Sequence, residues 1–207
     1  MKNINTLLFD VDGTILDTRE FILQATEYAL STLGYTVPNR KTIASNVGRP
    51  FPDYYFSLSG SKKDIDKLIE THRDFQYKNY NLVVPFTRAV ETLKELKEKG
   101  YKIAAITTRS KKTAHQTLIN SGIYELFDVI ICGEDAKELK PNPAPLFRAL
   151  ELLERNPESS IMIGDSHLDI EAGKNAGTKI SELLMVFIRI IWKIRSQIFI
   201  LTLLVTY

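Results

Sequence analysis

Near its amino terminus the chain reads FDVDGT at residues 9–14, at the end of a short apolar run that starts at residue 6. Two acids, Asp10 and Asp12, stand two positions apart between this strand-like run and a glycine turn. In an extended segment, residues i and i+2 point to the same side, so both carboxylates could face one pocket until the turn redirects the second. In isolation, such a hexapeptide is more often an acidic turn that ends a strand and caps the next helix. The rest of the chain decides between the two interpretations.

Similar short apolar runs recur at residues 103–106, 129–132 and 161–163. They are too brief for helices and are bounded by polar or turn residues, so we interpret them as buried strands. Helix-like stretches at 88–99, 111–120, 145–155 and 168–176 alternate with them. This alternation predicts an α/β fold, a Rossmann-like parallel sheet covered by helices. Ligands of such sheets bind beyond the carboxyl ends of the strands, which is where residues 9–14 lie.

A long interval breaks the alternation after the first strand. Most of this interval has the apolar spacing of amphipathic helices, for example at residues 21–33 and 64–80. A turn-rich segment at residues 48–52 lies between these two stretches. We therefore predict an α-helical domain inserted at residues 17–82. The sheet would then be built from residues 1–16 and 83–179.

A second acidic cluster, Asp165 and Asp169, follows the run at 161–163. Carboxylates that converge on one sheet edge repel one another unless a hard cation lies among them, and Mg²⁺ prefers carboxylate, carbonyl, water and phosphate oxygens. We assign Asp10, the main-chain carbonyl of Asp12 and Asp165 to a Mg²⁺ site. For Asp169, one helical turn further on, two roles are comparable: it orients a metal-bound water, or it is a first-turn acid favoured by the helix dipole.

Two further side chains stand at successive strand ends. Thr107 closes the second core strand, and Lys140 follows the third. A hydroxyl can donate a hydrogen bond to a phosphoryl oxygen, and an ammonium can neutralise charge on phosphate and on an attacking carboxylate. Alone, each would be an ordinary strand-end or solvated residue. Their common placement favours a phosphate site.

These segments match, in order, the four motifs of a known family. The chain resembles the haloacid dehalogenase superfamily of aspartate-nucleophile phosphatases through residues 10–14, Thr107, Lys140 and residues 164–169. The resemblance also covers a helical cap between the first and second motifs. Within the superfamily the chain is similar to the phosphoglycolate phosphatase and β-phosphoglucomutase group, and residues 47–51 look more like its phosphatase branch.

The resemblance implies a magnesium-dependent hydrolase of a small phosphorylated metabolite. Asp10 would attack phosphorus in line to form an aspartyl-phosphate intermediate, and Asp12 would protonate the leaving oxygen and later activate water. Thr107 and Lys140 would hold the phosphoryl oxygens. Mg²⁺ would be held by Asp10, Asp12, Asp165 and, more remotely, Asp169.

The cap of such enzymes supplies specificity residues. Arg49 is the first candidate here, although a solvent-exposed arginine in a turn is nearly as good an interpretation. Thr108, beside Thr107, is a second candidate for substrate contact. Arg109 could lie at the mouth of the site, but we leave it outside the predicted catalytic set.

Composition excludes some other classes of function. Lys and Arg number 27 and Asp and Glu number 25, so the net charge of +2 argues against the basic surface that nucleic-acid binding usually needs. The single cysteine, Cys132, has no partner for a disulfide or a zinc site. We therefore expect a reducing compartment, the cytoplasm, and residues 1–5 show no signal-peptide pattern.

The carboxyl end departs from the family. Of residues 180–207, 19 of 28 are apolar, with no Gly or Pro and with Glu182 as the single acid. The uncharged stretch 196–207 is shorter than the roughly 20 residues that span a bilayer, so we expect no membrane contact by this tail. Relatives continue here with an edge strand and a final helix. Translation of an AT-rich gene in a shifted frame would give such a tail, and we expect the missing piece to be an edge strand.

Three functions stay open from the sequence. The first is a phosphatase acting on phosphoglycolate, a sugar phosphate, a nucleotide or pyrophosphate. The second is a β-phosphoglucomutase-like phosphomutase that uses the same nucleophile. The third is an inactive relative, or a membrane-surface protein, made so by the aberrant carboxyl terminus.

Overall fold

A computed structural model of the protein describes residues 4–182. Most of the atypical tail, residues 183–207, lies outside the described residues, and so does the prediction about membrane contact by this segment. The described residues form two units, one from residues 4–17 and 85–182 and the other from Thr18–Val84.

The first unit contains a parallel sheet whose strands, within the described residues, are β1 (Thr6–Phe9), β4 (Lys102–Ile106), β5 (Val129–Ile131), β6 (Ser160–Gly164) and β7 (Lys179–Glu182). Their order across the sheet is β5-β4-β1-β6-β7. Strand β1 is therefore central: Leu8 pairs with Ala104 on one side and with Met162 on the other. The predicted α/β fold with a Rossmann-like parallel sheet is confirmed.

Four helices follow these strands in the first unit: α5 (Ala89–Glu98), α6 (Lys111–Asn120), α7 (Ala144–Leu153) and α8 (His167–Ala176). One face of the sheet packs against α7 and α8 through a cluster that includes Leu8, Ile106, Leu150 and Ala172, all buried. Burial of such apolar surface is the main favourable term in folding. It fixes the strand ends, and hence the residues that follow them, in one arrangement. Two short strands, β2 (Leu16–Asp17) and β3 (Val84–Pro85), do not belong to this sheet.

The second unit is helical, with α1 (Arg19–Thr32), α2 (Arg40–Ala44), α3 (Phe51–Ser59) and α4 (Ile65–Lys78). Its core joins Leu30, Tyr54, Tyr55 and Leu68, which are almost fully buried. Helices α1 and α4 were predicted, whereas α3 begins inside the segment that we predicted to be a turn. None of the helices at residues 4–182 has the length and apolar character needed to cross a bilayer.

Strand β7 runs into the segment that we predicted to be an atypical tail. Its register pairs Met162 with Ile180 and Gly164 with Glu182. Parallel pairing uses main-chain groups, so the unusual composition of the tail does not prevent it. The edge strand that we expected to be missing is present over these residues.

Candidate active site

The first acidic segment leaves the central strand as a tight turn. The main-chain amide of Asp10 donates to the carbonyl of Ile163 at 2.8 Å and so extends the ladder one residue past β1. The carbonyl of Val11 then accepts from the amides of Ile15 and Leu16, both at 3.0 Å. Gly13 takes a φ of +84°, and a Cβ at this position would overlap the carboxyl group of Asp165. Only glycine allows both this conformation and this approach of the two acidic segments.

Lys140 lies buried among the strand ends. Its ammonium donates to Asp10 Oδ1 at 2.5 Å, to Asp169 Oδ1 at 2.6 Å and to the carbonyl of Ile106 at 3.2 Å. The side chain of Lys140 is 4% exposed and that of Asp169 is 1% exposed. An unpaired charge at this depth would be very costly, so the three groups stabilise one another as a unit.

Asp169 also lies in the first turn of helix α8, which begins at His167. Its Oδ2 accepts from the amide of Ser166 at 3.1 Å, which is one half of a capping box, and it also accepts from the hydroxyl of Ser166 at 2.6 Å. Gly164 leaves room for this arrangement, since a Cβ there would overlap the Asp169 carboxyl group. Both oxygens of Asp169 thus accept hydrogen bonds from protein groups, and one of these holds Lys140.

Burial and mutual repulsion raise the pKa values of two carboxyl groups in this cluster. Burial raises the pKa of Asp10 to about 7, against the opposing attraction of Lys140 and with a further rise from Asp169. Burial, followed by the charge of Asp169, raises the pKa of Asp165 to about 6. Burial by itself would lower the pKa of Lys140, but the two carboxylates that it contacts outweigh burial and raise it. Negative charge is therefore in excess at this edge of the sheet.

The excess charge fits a divalent cation. Asp10, Asp165 and Asp169 each offer a carboxylate oxygen, and these oxygens lie within 4.8 Å of one another. Hard oxygen donors and a surplus of negative charge are the conditions under which Mg²⁺ binds. Thr14 also belongs to this cluster, with its hydroxyl 3.4 Å from Asp165 Oδ1.

The side chain of Asp12 has other partners. Arg109 Nε donates to both carboxylate oxygens, at 3.0 and 2.8 Å, and Arg109 Nη2 donates to Oδ1 at 2.6 Å. The hydroxyl of Thr107 is 3.4 Å from Asp12 Oδ2. The side chain of Asp12 therefore belongs to a second cluster, which it forms with Thr107 and Arg109.

Arg109 is the residue that we left out of the predicted catalytic set. It stands two positions after Thr107, and the amide of Arg109 donates to the hydroxyl of Thr107 at 3.2 Å. The i, i+2 spacing at a strand end, which we used for Asp10 and Asp12, also applies to this pair and could have identified Arg109. The two predicted substrate residues, Thr108 and Arg49, are exposed, and Arg49 belongs to the second unit.

A family model for haloacid dehalogenase-like hydrolases matches residues 7–182 of the chain. Among curated proteins, the chain is 37% identical over 177 residues to pyrophosphatase PpaX of Bacillus cereus (strain G9842), which covers 85% of this chain and 81% of that protein.

Solved structures with the same fold include a haloacid dehalogenase-like hydrolase from Bacteroides fragilis, with 26% identity and a TM-score of 0.81 over 89% of this chain and 90% of that one. A predicted phosphoglycolate phosphatase from Haemophilus somnus 129PT has a TM-score of 0.81 over 89% of this chain and 87% of that one. At 22% identity, this second likeness shows the fold alone.

Proposed function

Because the chain belongs to the haloacid dehalogenase-like hydrolase family, we propose that it is a magnesium-dependent phosphatase that hydrolyses a small phosphorylated metabolite through an aspartyl-phosphate on Asp10. One observation carries the proposal. Lys140 and Asp10, which are 130 positions apart in the chain, form a buried ion pair at the carboxyl end of the central strand, within the same cluster as Asp165.

Asp10 is suited to attack phosphorus. In the first step a carboxylate oxygen of Asp10 would form a bond to phosphorus while the bond from phosphorus to the leaving oxygen breaks. Lys140, held against Asp10 and Asp169, would neutralise charge on the transferred phosphoryl group. The hydroxyl of Thr107, which is buried at the end of β4, would donate to a phosphoryl oxygen.

Asp12 would move the protons. It would give a proton to the leaving oxygen in the first step and take one from water in the second, when water attacks phosphorus and releases phosphate and the Asp10 carboxylate. Its place in the cluster with Thr107 and Arg109 leaves Asp10 to act as nucleophile, so the two acids of residues 10–12 would have separate roles.

Asp10, Asp165 and the main-chain carbonyl of Asp12 are the groups that would hold Mg²⁺. When bound, the ion would supply positive charge that offsets repulsion between an anionic nucleophile and an anionic substrate. We assign Asp169 to positioning Lys140, because both of its oxygens accept hydrogen bonds from Lys140 or Ser166. Arg49 and Thr108 remain candidates for contact with the substrate.

Two classes of substrate are the first candidates to test. The family resemblance favours phosphoglycolate-like esters and sugar phosphates. The name of the Bacillus cereus relative, a pyrophosphatase, favours inorganic pyrophosphate as a second candidate substrate.

The test is phosphate release from these compounds and from a nucleotide, with Mg²⁺ or with EDTA. We expect hydrolysis to require Mg²⁺ and to be lost in Asp10→Asn, whereas Asp74→Asn, at an exposed position of α4, leaves it unchanged. Borohydride reduction during turnover should convert the aspartyl-phosphate at position 10 to homoserine, which mass spectrometry detects. Hydrolysis that persists in Asp10→Asn would refute the mechanism.

A further inference from the structure

The short helical turn after β5 contacts the segment that follows β4. This turn, Gly133–Asp135, is a single 3-10 turn, and the segment at residues 107–111 runs from the end of β4 into α6. Strands β4 and β5 are neighbours in the sheet, and the amide of Thr107 donates to the carbonyl of Ile131 at 2.9 Å. The turn therefore lies beside the segment that supplies Thr107 and Arg109 to the site.

Gly133 contacts the main chain of the 107–111 segment at close range. Its amide donates to the carbonyl of Arg109 at 2.8 Å. A Cβ at Gly133 would lie 2.9 Å from the carbonyl oxygen of Thr108 and 3.3 Å from that of Arg109, both shorter than ordinary van der Waals contact. Gly133 does not have a positive φ, so this close approach, and not the backbone conformation, is what requires glycine. A methyl group here would have to displace the main chain of residues 107–111.

Glu134 holds the same segment where it enters α6. Its Oε2 accepts a hydrogen bond from the amide of Lys111, the first residue of the helix, at 2.8 Å. Amides in the first turn of a helix have no partner within the helix, and the helix dipole favours a carboxylate there. Asp135 contributes less, because its ion pair with the Lys111 ammonium is 3.4 Å long and Lys111 is 61% exposed. Gly133 and Glu134 thus fix the segment at Arg109 and at Lys111.

The fixed segment orients two groups toward Asp12. The hydroxyl oxygen of Thr107 accepts from the amide of Arg109 at 3.2 Å, so its proton is directed away from that amide, and Asp12 Oδ2 lies 3.4 Å away. The peptide groups on either side of Arg109 are both held, one by Thr107 and the other by Gly133. From this anchored main chain the guanidinium of Arg109 pairs with the carboxylate of Asp12 at 2.6 Å. Displacement of the segment would therefore move Thr107 and disturb Asp12 together.

We propose that Gly133 and Glu134 are positioning residues for the proton transfer and the phosphoryl contact that the proposed function assigns to Asp12 and Thr107. Each acts through the main chain of residues 107–111 and not on the reacting atoms. General acid catalysis depends on hydrogen-bond geometry, and a misplacement of about 1 Å costs on the order of a hundredfold in rate. The inference rests on the proposed function and extends the site to the turn after β5.

The test uses two phosphate esters of similar shape, benzyl phosphate and p-nitrophenyl phosphate. Benzyl alkoxide is a poor leaving group that needs a proton as it departs, whereas p-nitrophenolate departs without one. The value of kcat/KM covers the steps up to departure of the leaving group, and a general loss of folded enzyme cancels in the ratio of the benzyl value to the p-nitrophenyl value. A lower ratio therefore reports a misplaced proton donor and not a loss of stability. Asp12→Asn should lower the ratio most and sets the scale.

The variants of the turn should lower this ratio in a graded way. Glu134→Ala should lower it about fivefold, and Glu134→Gln, whose amide oxygen still accepts from the amide of Lys111, should restore most of the loss. Gly133→Ala should lower the ratio by about tenfold or more, because it displaces main-chain atoms. Glu151→Ala is the matched control: Glu151 is exposed on α7 and pairs with Arg148 at the surface, so its loss should leave the ratio unchanged.

The outcomes separate this inference from the proposed function. A ratio left unchanged by Glu134→Ala or by folded Gly133→Ala would overturn it, and so would a loss in Glu134→Ala that Glu134→Gln does not restore. If Gly133→Ala fails to fold in circular dichroism, the two variants of Glu134, which is exposed, decide the question. Absence of hydrolysis of both esters, or hydrolysis that survives Asp10→Asn, would instead overturn the proposed function. An equal effect of Asp12→Asn on both esters would overturn the role of Asp12 and, with it, the inference.

Discussion

Lys140 Nζ lies 2.5 Å from Asp10 Oδ1 and joins the end of the central strand to a residue 130 positions further along the chain. The same ammonium also lies 2.6 Å from Asp169 Oδ1, so Lys140 pairs with two carboxylates. A single buried cation therefore compensates two carboxylates that would otherwise repel each other. This relationship makes the stability of the protein and the chemistry of its site depend on the same atoms.

Lys140→Met should destabilise the metal-free protein by about 3 kcal/mol, because it leaves two buried carboxylates without their cation. Mg²⁺ should recover part of this loss, since it brings positive charge to the same cluster. Urea unfolding with EDTA or with Mg²⁺ measures both effects. Lys111→Met is the control: Lys111 is 61% exposed and pairs with Asp135, so its loss should change the free energy of unfolding by less than about 1 kcal/mol. Equal losses in the two variants would contradict the buried ion pair.

The stability of the metal-free protein should depend on pH through Asp10 and Asp165. Their pKa values in the fold, about 7 and about 6, are raised above the ordinary value of 3.8. Such groups favour the folded state while they are protonated, so their contribution is present below about pH 4 and is lost as the pH rises towards 7. Each lowers the free energy of unfolding by up to about 1.4 kcal/mol per pH unit within its window.

Urea unfolding in EDTA at several pH values between about 4 and 7.5 tests this sign. In Asp165→Asn the free energy of unfolding should fall less steeply with rising pH, because one of the two carboxyl groups no longer titrates. Mg²⁺ should stabilise the protein more at about pH 7.5 than at about pH 5, since it needs ionised ligands. A free energy of unfolding that rises across this interval would show that the acids are not perturbed in the stated direction.

Asp165→Asn and Asp169→Asn should differ in how they affect Mg²⁺. If Asp165 is a metal ligand and Asp169 positions Lys140, the first variant should raise the Mg²⁺ concentration for half-maximal activity by about tenfold or more. The second should lower kcat with a much smaller change in that concentration. Activity titrations with Mg²⁺ give both quantities. A larger effect on Mg²⁺ from Asp169→Asn would assign the metal to Asp169 instead.

Gly164→Ala should abolish most of the activity, since its Cβ would overlap the Asp169 carboxyl group and push it away from Lys140. Gly100→Ala is a matched control for the substitution itself. Gly100 has a φ of +83° with open space around it, so alanine there costs about 1 kcal/mol of stability without touching the site. Phosphate release and thermal unfolding of both variants check this contrast. Normal kcat in Gly164→Ala would mean that Asp169 tolerates displacement.

The sequence was most informative where the signal is local. Strand β1 could be predicted because its four residues are all suited to burial, and all four are buried. The positions of Asp10, Lys140 and Asp165 at one edge followed from parallel topology, which brings strand ends together. The strand topology does not determine, however, which side chains at this edge form hydrogen bonds or ion pairs with one another. Whether Lys140 binds Asp165 or Asp169 depends on side-chain geometry and on the capping box of α8.

Helix α3 and the ion pair of Arg109 with Asp12 show two limits of the sequence signal. Gly48, Pro50 and Pro52 predicted a turn, yet Pro52 lies in the first turn of α3, where proline costs no hydrogen bond. Arg109 and Asp12 are 97 positions apart and meet because β4 lies beside β1. The position of Arg109 two residues after Thr107 marks it as a candidate site residue, but local spacing does not specify Asp12 as its partner.

The central place of β1 also affects the order of events during synthesis on the ribosome. Strand β1 is made first, but its neighbours are β4 and β6, with Thr6 pairing with Lys102 and with Ser160. A nascent chain shorter than about 165 residues would carry an apolar strand with one or both edges unpaired, which favours association with chaperones or with other chains. The acids after β1 and β6 can thus meet only late in translation, once the last of these strands has emerged.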